Sequence, residues 1–393
     1  MRFVPTLKLF LAGMLVAALS AGPALANPTL LFDLESGRIY SHQDAFKRWY
    51  PASLTKLMTA YVTYRAVANG ELALDSPIRV SKHAAAEPPS KMGYKAGSVM
   101  TLDNALKMML VKSANDIAMA IGENVGGSEA KFVERMNAEA ARLGMTGTRY
   151  ANPNGWFSPD QYTTARDQAI LVTALRKEFP QHSAYFTIEG LQAGKTKFDN
   201  FNLLVGRYKG ADGMKTGFVC ESGFNMIGSA TRDGRTLVAI ALGQASATER
   251  AEAVAALLDQ GFAGSRPGAD TVTTLARYGD DADMPANLRG QICAKPAPKQ
   301  ATKPASGKKV AEEAGEKPLT KEISPYRLPF DHVQKLVKVD LGGATGPVPL
   351  ARRGADGREV ADVPIPTWRP DRPPPGFGPP IQGDAAAAAG SGK

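Results

Sequence analysis

Three short stretches carry residues whose types and spacing could perform acyl transfer. In Pro51-Ala52-Ser53-Leu54-Thr55-Lys56 a serine precedes a lysine by three positions, where a helix is predicted to begin. Residues three apart share a helix face, so the Lys56 amine can reach the Ser53 hydroxyl. A hydroxyl at a helix N-terminus beside an amine can be an activated nucleophile. Alone, Ser-x-x-Lys is weak evidence, and a capped surface helix is the more common reading of it. Two further triplets narrow the choice: Ser113-Ala114-Asn115 at a predicted helix–loop junction, and Lys215-Thr216-Gly217 on a predicted strand. The spacings are 113 − 53 = 60 and 215 − 113 = 102 residues.

Acyl transfer assigns each of these residues a task. Ser53 is the expected nucleophile and Lys56 the expected base, which requires the amine pKa to be lowered by burial or by a nearby cation; Lys215 is the cation expected. Ser113 could relay a proton between the lysines and the leaving amine, and Asn115 could hold a substrate amide. Gly217 lets a substrate backbone approach the strand, where an extended peptide could add as a further strand. The N–H groups of Ser53 and Phe218 are the simplest oxyanion donors. Thr216 together with Arg250 would bind a free carboxylate. Asn152, Asn154 and Trp156, on a nearby loop, could shape the cleft or serve the loop alone.

Strands and helices must hold these groups together. Residues 30–34 and 38–40 read as a strand pair around Glu35-Ser36-Gly37, and residues 72–81 as a further strand. Helices are predicted from Pro51 to Gly70 and over 102–110, 116–125, 130–143 and 168–176, the last led in by Thr164-Ala165-Arg166-Asp167. Residues 87–97 and 150–161 read as loops. Strands at 214–219, 224–231 and 236–242, the last two joined across Arg232-Asp233-Gly234-Arg235, precede a closing helix over 248–258. The fold class expected is α+β, an antiparallel sheet with a helical layer.

Around this catalytic domain (27–264), residues 1–26 read as a signal peptide. Arg2 and Lys8 precede an apolar run, and Ala24-Leu25-Ala26 forms the cleavage site. The protein is therefore expected to be exported, periplasmic or wall-associated. Residues 265–293 read as a weakly ordered extension, and 294–393 as a Pro/Ala/Lys-rich, mostly disordered tail of unknown partner, within which 333–341 could fold locally. The formal charge of +9 becomes 9 − 2 = +7 without the leader, and it is spread, which argues against nucleic acid as a partner. No membrane anchor is evident. The four histidines (His42, His83, His182, His332) lack metal spacing and read as surface residues, so neither metal nor cofactor is expected. Cys220 is either a small buried residue or the partner of Cys293 in a disulfide pinning the root of the tail near the catalytic strand.

The ordered triple is that of penicillin-binding proteins and class A β-lactamases, which have Ser-Asp-Asn in the middle. With Thr164-Ala165-Arg166-Asp167 and Asp212-Gly213-Met214-Lys215-Thr216-Gly217, residues 28–263 resemble a low-molecular-mass penicillin-binding protein of the D-alanyl-D-alanine carboxypeptidase family, whose fold is that of serine β-lactamases. The resemblance implies an acyl-enzyme at Ser53, proton acceptance by Lys56, assistance from Ser113 and substrate contact by Lys215. It also implies release of the terminal D-alanine from peptidoglycan stem peptides, with β-lactams as covalent inhibitors. Phe218 departs from the histidine that many such carboxypeptidases carry, and their β-rich second domain and amphipathic anchor have no counterpart in the tail. A D,D-endopeptidase of the same fold is the nearest rival. A β-lactamase would need a Glu-x-x-x-Asn pattern, which neither Glu178 nor Glu189 provides. A catalytically idle wall-binding module would make the intact motifs relics. A Ser-His-Asp hydrolase lacks its Gly-x-Ser-x-Gly elbow.

Overall fold

The computed structural model describes residues 27–279, 284–294 and 332–352; the leader and most of the expected tail lie outside the described residues. The central sheet joins β1 (Thr29–Asp33) and β2 (Ile39–Gln43), from the start of the domain, to three later strands, β7 (Ala211–Val219), β8 (Gly223–Arg232) and β9 (Arg235–Gln244); its order is β2-β1-β9-β8-β7, and every pairing is antiparallel.

Between the two halves of the sheet comes the helical layer. A 3-10 turn at Ala52–Leu54 opens α1 (Thr55–Ala68); then follow β3 (Pro77–Arg79), α2 (Lys82–Ala86), β4 (Val99–Thr101), α3 (Leu102–Val111), α4 (Asn115–Gly126), α5 (Glu129–Arg142) and α6 (Ala165–Glu178). Serine and threonine caps begin most of them, with Thr101 accepting from the Asn104 N–H and Thr164 from the Asp167 N–H. Because α1 packs against α3, α4, α5 and α6, nearly all of its residues are buried, as are all of those in α4. Only the short Pro77–Arg79 segment of the expected 72–81 strand pairs, with β4.

A hairpin, β5 (Gly190–Ala193) with β6 (Thr196–Asp199), precedes β7 (Ala211–Val219), β8 (Gly223–Arg232), β9 (Arg235–Gln244) and α7 (Ala247–Phe262). The sheet is covered on both faces, which explains the unbroken apolar run of β9. Val238, Ile240 and Leu242 join Leu30 and Phe32 in the helical core, whereas Leu237, Ala239 and Ala241 join Leu31 beneath Ala251, Val254 and Leu258 of α7. Small residues on the second face let α7 lie close to the sheet.

One expectation about order is corrected, and one possibility raised for the tail is met. The 265–293 extension is anchored wherever it is described: Val272 is buried and accepts from Arg166 Nε, the Tyr278 hydroxyl accepts from the Ala45 N–H, and α8 (Arg289–Ile292) follows the buried Leu288. Within the tail, the piece that could fold locally holds a strand, β10 (Leu336–Lys338), which pairs in parallel with β5. Downstream, Gly342 bonds Val99, Gly346 bonds Asp75 and Leu350 bonds Glu71. Val337 and the buried Val339 join the main core. The apolar stripe of residues 333–341 thus finds its partner in the domain itself, which composition averaged over the whole tail conceals. Among the described residues, no helix is long and apolar enough to cross a membrane.

Candidate active site

Ser53 lies in the 3-10 turn rather than in the first turn of α1 itself, which begins at Thr55. The turn is locked to the sheet from behind. Buried Asn225 of β8 donates to the carbonyls of Tyr50 (2.9 Å) and Pro51 (3.2 Å) while accepting from the Gly243 N–H, and Trp49 donates to the Ser222 carbonyl. In front of it runs β7, the edge strand of the sheet. A Cβ at Gly217 would lie 2.8 Å from the Pro51 carbonyl oxygen and 3.1 Å from the Ser53 and Leu54 nitrogens. Only glycine lets the strand come this close to the Ser53 turn. Gly155, at φ +85°, is equally constrained, since its Cβ would meet the Ala52 carbonyl oxygen at 2.0 Å.

Lys56 is fully buried, and its Nζ has three partners: Ser53 Oγ at 2.9 Å, Asn115 Oδ1 at 2.7 Å and the Asn154 carbonyl oxygen at 2.5 Å. The Asn115 amide is held by its own donation to the Pro88 carbonyl, which turns its oxygen toward the lysine. Two of the three partners can only accept. A neutral amine donating to both therefore directs its lone pair at the Ser53 hydroxyl, the geometry a general base requires. Burial lowers the amine from its usual 10.5 to about 7, while the Glu87 and Asp116 carboxylates pull the other way. The cause is thus desolvation, not the Lys215 cation expected from the sequence.

Lys215 instead donates to Ser113 Oγ at 2.9 Å and to the Thr216 carbonyl at 3.0 Å. Ser113 sits in the left-handed region at φ 62°. Buried Arg250, in the first turns of α7, reaches the Gly217 carbonyl at 3.4 Å and lies over the Phe224 ring, which also packs on Phe218 at 4.2 Å. A cleft of about 480 Å³ is lined by Ser53, Ser113, Asn115, Thr216, Gly217, Phe218 and Arg250. Trp156 also lines it and is half-exposed. The structure thus gathers the expected residues at one place, with Lys56 beneath the cleft floor. Among the described residues, no group of histidine, cysteine, aspartate and glutamate side chains has a metal-holding arrangement.

Several contributors were not legible as motifs. Asp116 accepts from the Met92, Gly93 and Ile117 N–H groups, tying the 87–97 loop to the start of α4. Glu87, raised by burial, accepts from the Asn154 side chain at 2.7 Å, and Asn154 in turn accepts from the Trp156 N–H. Asn152 holds Gly155 through its N–H. The histidines correct the surface reading in part. His182 is buried and stacked on Tyr64, and His83, which bonds Glu123, is raised to about 9 by that carboxylate first and by Glu129 and Glu87 further. Cys220 and Cys293 form a disulfide.

The family model for D-alanyl-D-alanine carboxypeptidase matches residues 17–246. The carboxypeptidase DacF of Bacillus subtilis (strain 168) is 32% identical over 241 residues, covering 60% of this chain and 62% of that protein, so the chain spans less than two thirds of this relative's length. Penicillin binding protein 5 from Haemophilus influenzae is similar in structure, with a TM-score of 0.58 at 30% identity over 61% of this chain and 71% of that one. So is penicillin-binding protein D2 from Listeria monocytogenes in its ampicillin-bound form, with a TM-score of 0.54 at 30% identity over 60% of this chain and 97% of the other. With more than half its length matched, and with the three motifs converging on one cleft, the chain belongs to the D-alanyl-D-alanine carboxypeptidase family.

Proposed function

We propose that the protein is an exported serine D-Ala-D-Ala carboxypeptidase that removes the terminal D-alanine from peptidoglycan stem peptides and is acylated covalently by β-lactams. The observation that carries this reading is the Lys56 amine, desolvated and 2.9 Å from Ser53 Oγ, with its other two partners being acceptors. Lys56 takes the proton from Ser53 as Oγ attacks the carbonyl of the penultimate D-alanine. The tetrahedral oxyanion is received by the Ser53 and Phe218 N–H groups. Ser113, held by Lys215, passes its proton to the leaving amine and is reprotonated from Lys56, so the C–N bond breaks to free D-alanine and Lys56 is left neutral. Asn115 holds the substrate amide, Thr216 and Arg250 take the terminal carboxylate, and the acyl peptide adds along the Gly217 edge of β7. Water then attacks the ester, with Lys56 again accepting a proton and returning it to Ser53 Oγ as the acyl–oxygen bond breaks, to release the shortened peptide.

The names of the relatives favour a carboxypeptidase over an endopeptidase. The test is incubation of the full chain with a synthetic peptide ending in D-Ala-D-Ala and, separately, with a cross-linked dimer of such peptides. Free D-alanine from the first with no cleavage of the second is the expected result; the reverse would overturn the assignment in favour of endopeptidase activity.

A further inference from the structure

Beyond residue 246, where the family match ends, the chain returns to the cleft. The 284–294 segment is fastened to the end of β7 in three ways. Cys293 is bonded to Cys220, the Leu288 N–H donates to the Glu221 carbonyl at 2.9 Å, and Arg289 grips the Glu221 carboxylate through Nε and Nη2, each at 2.7 Å. Glu221 is only 3% exposed, whereas the Arg289 side chain is 61% exposed, and both line the same cleft as Ser53. The buried carboxylate thus fixes one side of the guanidinium and leaves the remainder facing the cleft.

The direction of the cleft says what this cation would meet. Ser53 stands against Gly217; Lys215 and Thr216 precede that point on the chain, and Phe218 to Glu221 follow it. This step rests on the function proposed above: with the terminal carboxylate near Thr216, the acyl portion of the substrate runs over Phe218–Glu221 toward Arg289. We propose that Arg289 determines specificity by binding a carboxylate on the acyl side of the scissile bond. The preferred substrate is then a stem peptide whose residue before the terminal pair carries a free side-chain carboxylate rather than only an amine. A guanidinium suits this task because its planar fork can serve Glu221 and a substrate carboxylate together.

Three penicillins read this without depending on peptide turnover. Benzylpenicillin has no charge on its acyl side chain, carbenicillin is the same molecule with a carboxylate there, and ampicillin carries an amine instead. The readout is the ratio of second-order acylation rates, carbenicillin over benzylpenicillin, for the full chain and for Arg289→Ala, Arg289→Lys and Cys293→Ala. A charge-assisted contact at a partly exposed site predicts a ratio about three- to tenfold lower in Arg289→Ala. Arg289→Lys should recover part of it, and Cys293→Ala should follow the alanine variant because the clip is lost. An unchanged ratio, a parallel fall in both rates, or a wild-type preference for ampicillin would overturn the proposal while leaving the carboxypeptidase reading intact. Failure of all three drugs to acylate the wild type would take down both.

Discussion

Replacing Lys56 by methionine separates catalysis from stability, because burial acts on the two in opposite directions. The amine falls from 10.5 in the unfolded chain to about 7 when folded. Between those values the unfolded chain binds the extra proton, so stability rises with pH across this window. Below pH 7 the folded protein carries a buried cation, and the full penalty applies. At 1.36 kcal/mol per pH unit the difference corresponds to about 5 kcal/mol. Methionine removes that penalty but strands the Asn115 Oδ1 and Asn154 carbonyl acceptors, at about 1–3 kcal/mol each. The net expectation for Lys56→Met at pH 6 runs from a stability gain of about 3 kcal/mol to a loss of about 1 kcal/mol, and it falls by about 4 kcal/mol by pH 10, with acylation lost throughout. Urea melts at the two pH values, paired with penicillin acylation, provide the assay. A variant destabilised at pH 6 as much as at pH 10 would refute the desolvation argument. In the wild type, acylation should rise through a pKa near 7, with about one molecule in a hundred competent at pH 5; a flat profile down to pH 5 would refute Lys56 as the base.

Other perturbations follow from single contacts. Gly217→Ala places a methyl 2.8 Å from the Pro51 carbonyl, pushing β7 from the nucleophile turn; acylation should fall by about 100-fold or more, measured by stopped-flow, with a stability loss of about 1–3 kcal/mol. Asp116→Ala frees the Met92 and Gly93 N–H groups and should cost about 3 kcal/mol in denaturant melts, with the 87–97 loop becoming the first site of hydrogen exchange. Thiol titration of the denatured, unreduced protein should find no free thiol, and reduction should lower stability by about 2–4 kcal/mol. Two free thiols would contradict the clip.

What the sequence conveys here depends on the range of the interaction. Ser53 and Lys56 are separated by one helical turn, so their contact follows from spacing alone. The sheet hairpin around Asp233-Gly234 is equally local. Ser113 and Lys215 meet across 102 residues, and only their membership of an ordered triple pointed to it. Burial and a nearby cation were both open as causes of the Lys56 shift, and the choice between them was beyond reach, because burial is a property of the finished packing of α1 and not of any motif. Glu87 and Asp116 are ordinary carboxylates in sequence that become structural only when the 87–97 loop folds over α4. Phe218, the departure from the family's histidine, packs on Phe224, a cross-strand neighbour that pattern reading could place only once β7 and β8 were paired in register. In the tail the apolar 333–341 stripe was legible, but its partner, β5, lies more than 130 residues away and only the fold supplies it.

Intact-mass analysis of the full chain with benzylpenicillin, followed over time beside Ser53→Ala, tests the central claim most directly. The wild type should carry one long-lived adduct with the mass of one drug molecule, and the variant none. An adduct that survives in Ser53→Ala, or drug turnover too fast for any adduct to persist, would contradict that claim.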